Sequence, residues 1–447
     1  MRRPGASVDD PAHSPLLNAG ALLFARPLSG GICYNGEREK NFTIANRKGG
    51  AHMGREAVIV SAARTPFGAF QGALKDLSAT DLGAVAIREA LRRVELLERP
   101  EEIDQVLMGQ VVQAGAGQIP ARQAAHKAGL PFGVVSATVN KVCASSLWAV
   151  NLADTLIRAG DADVVVAGGM ESMSNAPYLL QGARRGYRMG HGQLIDGVIH
   201  DGLWCAFGDV HMGTYGGRGA REYGVAREEL DAWAYRSHVR AAAAWDRGFF
   251  AEEVTRVVVP QKKGETVVLE DEPIRRDTSP EKLAALRPAF EPDGPITAGN
   301  APGLSDGASA LVIMSREKAT ALGLEVLATI VAQGQYSDEP HLLHEVPARA
   351  GQAALRRAGL TAKDLHLVEI NEAFASVTLI STRLLGVDPE IVNVNGGAIA
   401  LGHPIGASGG RILMHLVYEL RRRGGGFGLA AICSGGGQGE ATLVRVD

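Results

Sequence analysis

The feature that most constrains this chain is that it carries one pattern twice. Residues 57–60 read as an apolar strand, and a helix is predicted around residues 81–94, where Leu82, Val85, Ala86, Ala90 and Leu91 recur at helical spacing. A strand at residues 105–108 follows. Residues 350–357 and then 364–370 repeat the plan, and Ala90-Leu91-Arg92-Arg93 returns as Ala354-Leu355-Arg356-Arg357. A second pair of segments agrees. Cys143 opens a helix with Ala149, Leu152, Ala153, Leu156 and Ile157 on its apolar face, followed by a strand at 164–167 and Gly168-Gly169. Near the C-terminus His403 opens a glycine-rich helix with Ile412, Leu413, Leu416, Val417 and Leu420, followed by a strand at 429–432 and Gly435-Gly436-Gly437. Four matched elements at offsets near 260 to 264 residues indicate an internal duplication.

Two βα halves of this kind bury helices between sheets, and the 56 glycines serve that close approach of backbones. The expected class is therefore α/β. Its halves are residues 55–175 with 303–325, and residues 326–447. Residues 176–302 interrupt the pattern and are expected to form an inserted loop domain, with a helix around 228–245 and a hairpin at 257–269; insertions of this length are usually functional. Residues 1–54 lack periodicity, carry Pro4, Pro11, Pro15 and Pro27, and are expected to be a disordered or non-native extension. Lys48-Gly49-Gly50-Ala51-His52 is readable as a ribosome-binding site ahead of a start at Met53.

A net charge of -3 gives no footprint for nucleic acid or an anionic membrane, and no apolar run is long enough to span a bilayer. The four cysteines, Cys33, Cys143, Cys205 and Cys433, have no short spacings, which argues against a disulfide framework or a zinc module and favours a reducing, cytoplasmic setting.

Several residues could carry chemistry. Cys143 stands where a strand meets a helix, and a helix N-terminus lowers a thiol's pKa from about 8.5 by stabilising the thiolate. A lone Cys is nevertheless commonly packing. His403 sits among glycines, where little apolar surface exists to bury an imidazole, and either exchanges protons or satisfies a turn. Cys433 ends a strand and enters Ser434-Gly435-Gly436-Gly437, whose open amides could cradle an oxyanion. Asn371 and Glu372 read equally well as turn or cap residues and structural charge. The Gly406-Ala407-Ser408-Gly409-Gly410 match to G-x-S-x-G lacks the strand that a nucleophile elbow needs, and no dinucleotide or P-loop pattern occurs.

Taken together, VNKVCASS at Cys143, GGMESMS at residues 168–174, HMG at His211, NEAFA at Asn371, GHPIGASG at His403 and CSGGG at Cys433 strongly resemble the thiolase family over residues 55–447. The resemblance implies a layered αβαβα fold and a reversible Claisen exchange that joins two acetyl-CoA units into acetoacetyl-CoA plus CoA. It implies Cys143 as the acylated nucleophile, activated by His403, and Cys433 as the base at the second substrate's α-carbon. A water held by Asn371 would join His403 at the enolate oxygen, and the amides of Cys143 and Gly435 would form a second oxyanion site. His211, Met212, Arg275, Ala298 and Pro302 match substrate-binding positions. Pro302 replaces a serine that often contacts pantetheine, and Tyr215-Gly216-Gly217 departs from the family pattern, leaving the local helix start open. Coenzyme A thioesters are the implied substrates, with no metal or other cofactor, in a homotetramer or homodimer. Alternatives are a degradative 3-ketoacyl-CoA thiolase of broader chain length, a ketoacyl synthase, which Cys433 argues against, and a non-catalytic thiolase-like binding protein.

Overall fold

The computed structural model describes residues 54–447; the expected extension, all but Gly54, lies outside the described residues. The main sheet runs from Leu365–Ile370 through Gly426–Ser434, Gln438–Val446 and Ala328–Ser337 to Ala57–Arg64, then Ser305–Ser315, Val164–Ser172, Gln105–Gly109 and Val135–Val139. This order is a mirror. Reading outward from the centre, Ala328–Ser337 matches Ala57–Arg64, Gln438–Val446 matches Ser305–Ser315, Gly426–Ser434 matches Val164–Ser172, and Leu365–Ile370 matches Gln105–Gly109. Even the outermost strand has a vestige, a parallel bridge from Val368 to Val392. Within the sheet the halves are joined by two residue pairs, Val58 with Thr329 and Ile59 with Ala328. The duplication read from the sequence is thus expressed in the strand order.

Alternation along each strand produces the layers, because successive side chains leave opposite faces of a sheet. Val58, Val60, Val106 and Met108 pack outward against the helices Ala79–Arg92 and Pro120–Ala128. Ala57, Ile59 and Leu107 pack inward on the helix Ser145–Ala159, and Ala430 and Ile432 do so on Ser408–Arg422. Leu429 and Ala431 face the outer helices Val346–Ala358 and Ala375–Leu385. The result is the expected αβαβα stack, with two helices buried in the middle layer. Ser78 opens the first outer helix with a capping box to Asp81, satisfying amides that the helix start leaves free.

The placement of His403 differs from expectation. The middle helices each span 15 residues, and Ser145 and Ser408 open them 263 residues apart. Applied to Cys143, that offset lands on Gly406; applied to His403, it returns to Asn140. His403 therefore neither opens its helix nor is the repeat partner of Cys143. It sits in the loop between Ala398–Leu401 and Ser408, because Pro404 has no amide to donate and its ring clashes with a preceding helical turn. The strand predicted to stop at residue 167 also continues through both glycines to Ser172.

The inserted segment forms the helices Met212–Glu222 and Arg227–Asp246 and the hairpin Val257–Pro260 with Glu265–Val268. His211 caps the first of these, its Nδ1 accepting the Gly213 amide at 3.0 Å, so the helix starts despite Gly216 and Gly217. Buried polar ties hold the segment to the core. The Glu372 carboxylate accepts from Trp233 Nε1 at 2.9 Å and Ser237 Oγ at 2.8 Å, while Arg64 is held by Glu253 and Asp271. Glu372 is thereby explained as a structural charge. Among the described residues no helix is long and apolar enough to cross a membrane.

Candidate active site

A cavity of about 420 Å³ opens where the ends of both halves meet the inserted segment. Cys143, His403, Cys433 and Gly435 line it, as do His211, Met212, Arg275, Ala298 and Pro302. Asn371 lies just behind, fully buried, with its Nδ2 3.5 Å from His403 Nε2. The structure thus brings together every site residue expected from the sequence.

Cys143 owes its position to a strained turn. Val142 adopts φ +45°, a left-handed conformation that a β-branched residue enters at a cost of about 1–3 kcal/mol. The turn is pinned on several sides. Asn140 Oδ1 accepts the Val142 amide at 2.9 Å, Ser145 Oγ accepts the Lys141 amide at 2.9 Å and donates to the Val142 carbonyl at 2.6 Å, and Ser434 Oγ donates to the Lys141 carbonyl. Lys141 in turn pairs with the buried Glu440 at 2.6 Å. Cys143 precedes the helix by two residues and faces the cavity with part of its surface open.

Its acidity differs from expectation. Burial pushes the Cys143 thiol up to about 12, and Glu171 adds to the rise, although the backbone amides of Cys143 and Gly435 pull the other way. Cys433 is buried and is likewise raised, first by burial and then by Cys143 beside it. The Gly435 amide is presented by a tight turn in which Gly436 and Gly437 take φ +79° and +70°. A Cβ on Gly437 would meet the Asp338 carbonyl at 2.4 Å.

His403 is fixed by residues that the motif reading passed over. Its amide donates to Ser305 Oγ at 3.1 Å, and its Nδ1 lies 2.6 Å from Ser408 Oγ. Ser408 spends its only proton on the Pro404 carbonyl at 2.9 Å, so the imidazole must donate from Nδ1 and keep its Nε2 lone pair free. Burial, reinforced by the Arg411 charge, holds His403 down to about 3, leaving it neutral at neutral pH. The Asn371 amide faces that free nitrogen, while Asn371 Oδ1 is buried without a partner.

Most of the remaining wall is apolar or aromatic. His211 stacks on Phe290 at 4.4 Å between centroids, and Phe290 meets Phe374 edge-on at 6.0 Å. Gly213 and Gly216 let these rings approach, since a Cβ at either would strike Phe290 or Phe374 within 3 Å. The two glycines that departed from the expected pattern include one of these contacts.

Arranged in this way, a partly open thiol whose neighbouring amides favour its charged form, a neutral imidazole with a free nitrogen and a second thiol are equipped for covalent acyl transfer. The thiolase N-terminal domain model matches residues 57–317, and the thiolase C-terminal domain model matches residues 324–446. The chain belongs to the thiolase family. Among similar thiolases, a probable acetyl-CoA acetyltransferase of Mycolicibacterium smegmatis is 51% identical over 389 residues, 87% of this chain and 100% of the relative. The acetyl-CoA acetyltransferase of Pseudomonas aeruginosa is 51% identical over 393 residues, 88% of this chain and 100% of its own length. That of Cupriavidus necator is 50% identical over 391 residues, 87% and 99% respectively.

Proposed function

We propose that this thiolase is an acetyl-CoA C-acetyltransferase, exchanging two acetyl-CoA for acetoacetyl-CoA and CoA through an acetyl group carried on Cys143. The observation that carries the reading is that Cys143, His403 and Cys433 share one cavity, which Gly435 lines beside them. The names of the relatives support acetyl-CoA as the substrate.

His403 Nε2 takes the Cys143 proton as the sulfur attacks the thioester carbonyl, and the oxyanion forms against the amides of Cys143 and Gly435. Collapse of this intermediate breaks the bond to the CoA sulfur, which takes a proton from Cys433. Cys433 is thereby left as a thiolate, and its raised pKa makes that thiolate a strong base. It removes the α-proton of the second acetyl-CoA while His403, now charged, and a water held by Asn371 serve the enolate oxygen. The α-carbon then attacks the acetyl carbonyl, Cys143 departs, and its sulfur recovers its proton from His403. All protons are returned, so the cycle calls for no cofactor beyond the CoA thioesters. A cytoplasmic homotetramer or homodimer completes the proposal.

The assay is thiolysis of acetoacetyl-CoA by CoA, run on the protein and on Cys143→Ser, across acyl lengths. Turnover of acetoacetyl-CoA that disappears in the variant is expected. Equal rates on long 3-ketoacyl-CoA would instead favour the broader-chain enzyme, and undiminished turnover in the variant would refute the mechanism.

A further inference from the structure

The duplication has left a counterpart to the cysteine pair. Strands Val164–Ser172 and Gly426–Ser434 end 262 residues apart, which sets Glu171 at the position of Cys433. Sheet register agrees, because Glu171 lies opposite Gly307 as Cys433 lies opposite Gly439. Gly406 is likewise the counterpart of Cys143. Where one half brings Cys433 to Cys143, the other brings Glu171 to Gly406.

Glu171 is fully buried, and its carboxylate accepts three backbone amides. Oε2 takes Val111 and Gly406, each at 3.0 Å, and Oε1 takes Val112 at 3.2 Å. Burial pushes this carboxyl up to about 7 against the pull of those amides. The Gly406 peptide is gripped from the other side as well. Its carbonyl oxygen occupies the space where a Cβ of Gly169 or Gly109 would stand, 1.9 and 2.9 Å away. Ile405 packs on Val111, Val112 and Met173 and lines the cavity. His403 is three residues upstream.

We propose that Glu171 is a positioning residue of the acyl-transfer site, its carboxylate fixing the Gly406 peptide and thereby setting where His403 presents Nε2. The inference rests on the acyl-transfer reading above. It gives the glutamate in GGMESMS a task in the second half's catalytic loop, reached from the first half.

The test uses the full chain with Glu171→Gln and Glu171→Asp. A glutamine keeps the shape but turns an N–H₂ toward an amide that needs an acceptor, whereas aspartate keeps the acceptor and shortens its reach. In Glu171→Gln the thiolysis kcat should fall about 10²-fold, the scale on which a small misplacement of a reacting group acts. KM for CoA should stay within about twofold and the melting temperature should stay near that of wild type, with partial recovery in Glu171→Asp. A folded Glu171→Gln with wild-type kcat would overturn the proposal. So would a loss of kcat matched by a rise in KM, or unfolding of both variants, since each would make Glu171 a structural residue only. A wild-type protein inert toward acetoacetyl-CoA would overturn the acyl-transfer reading itself, and this inference with it.

Discussion

Ser408 Oγ lies 2.6 Å from His403 Nδ1 while donating its own proton to the Pro404 carbonyl, and this pair determines which imidazole nitrogen faces the cavity. Ser408→Ala removes the acceptor that selects the tautomer. A positioned base supplies about 10²–10⁴ in rate, so the variant should lose at least about tenfold in kcat with little change in KM for CoA. Steady-state kinetics on the purified variant check this; an unchanged kcat would show that the tautomer is set elsewhere.

Asn371 is a second test of the same nitrogen. Its Oδ1 is already buried without a partner, so Asn371→Ala removes an orphaned acceptor along with the donor that faces His403. Condensation should slow by about 10²–10³, the usual cost of one oxyanion donor, while the melting temperature changes little. Acetylation of Cys143 in a single turnover should be affected less than condensation, because the enolate forms only in the second step.

Much of this site was legible in the sequence because each reacting residue sits in a short glycine-rich string at the end of an element. Cys143, Cys433, Gly435 and His403 were found in that way, and all four line one cavity. Ser408 and Glu171 were quoted inside motifs but carried no signal of their own. A serine at a helix start reads as a cap, and an acid in an apolar strand reveals its partners only when Val111, Val112 and Gly406 converge on it. The acidity of Cys143 was misread for a related reason: desolvation depends on how closely the walls approach, which local sequence does not encode. The offset of 260 residues between Cys143 and His403 matches neither register of the duplication, since helix starts lie 263 apart and the strand ends 262.

Stability should respond to pH in two regimes. His403 and His238, held down to about 3 and about 4 chiefly by burial, stay neutral in the fold while the unfolded chain takes up protons below 6.5, so their contribution is lost as pH falls. His211 and His344 shift in the same direction. Glu171 and Glu369, pushed by burial up to about 7, hold protons that the unfolded chain releases above 4.5, so their contribution is lost as pH rises. His415, Asp154 and Asp306, all raised, join this second group. Between 4.5 and 6.5 the two groups offset each other. Below 4.5 the buried glutamates no longer change, while His403 and Glu253 still do; Glu253 is held at about 2 because His415 and Arg64 outweigh its burial. The melting temperature should therefore be nearly flat from pH 6.5 to 4.5 and fall steeply below. Scanning fluorimetry across that range checks it, and a steady decline beginning at pH 6.5 would contradict the balance.

The central claim is that Cys143, and not Cys433, carries the acyl group. Rapid quenching of the protein with acetyl-CoA, followed by peptide mass spectrometry, tests it most directly. The account predicts an acetyl adduct on the peptide containing Cys143, abolished by Cys143→Ser and still formed in Cys433→Ser. An adduct on Cys433, or turnover that persists in Cys143→Ser with no adduct, would contradict it.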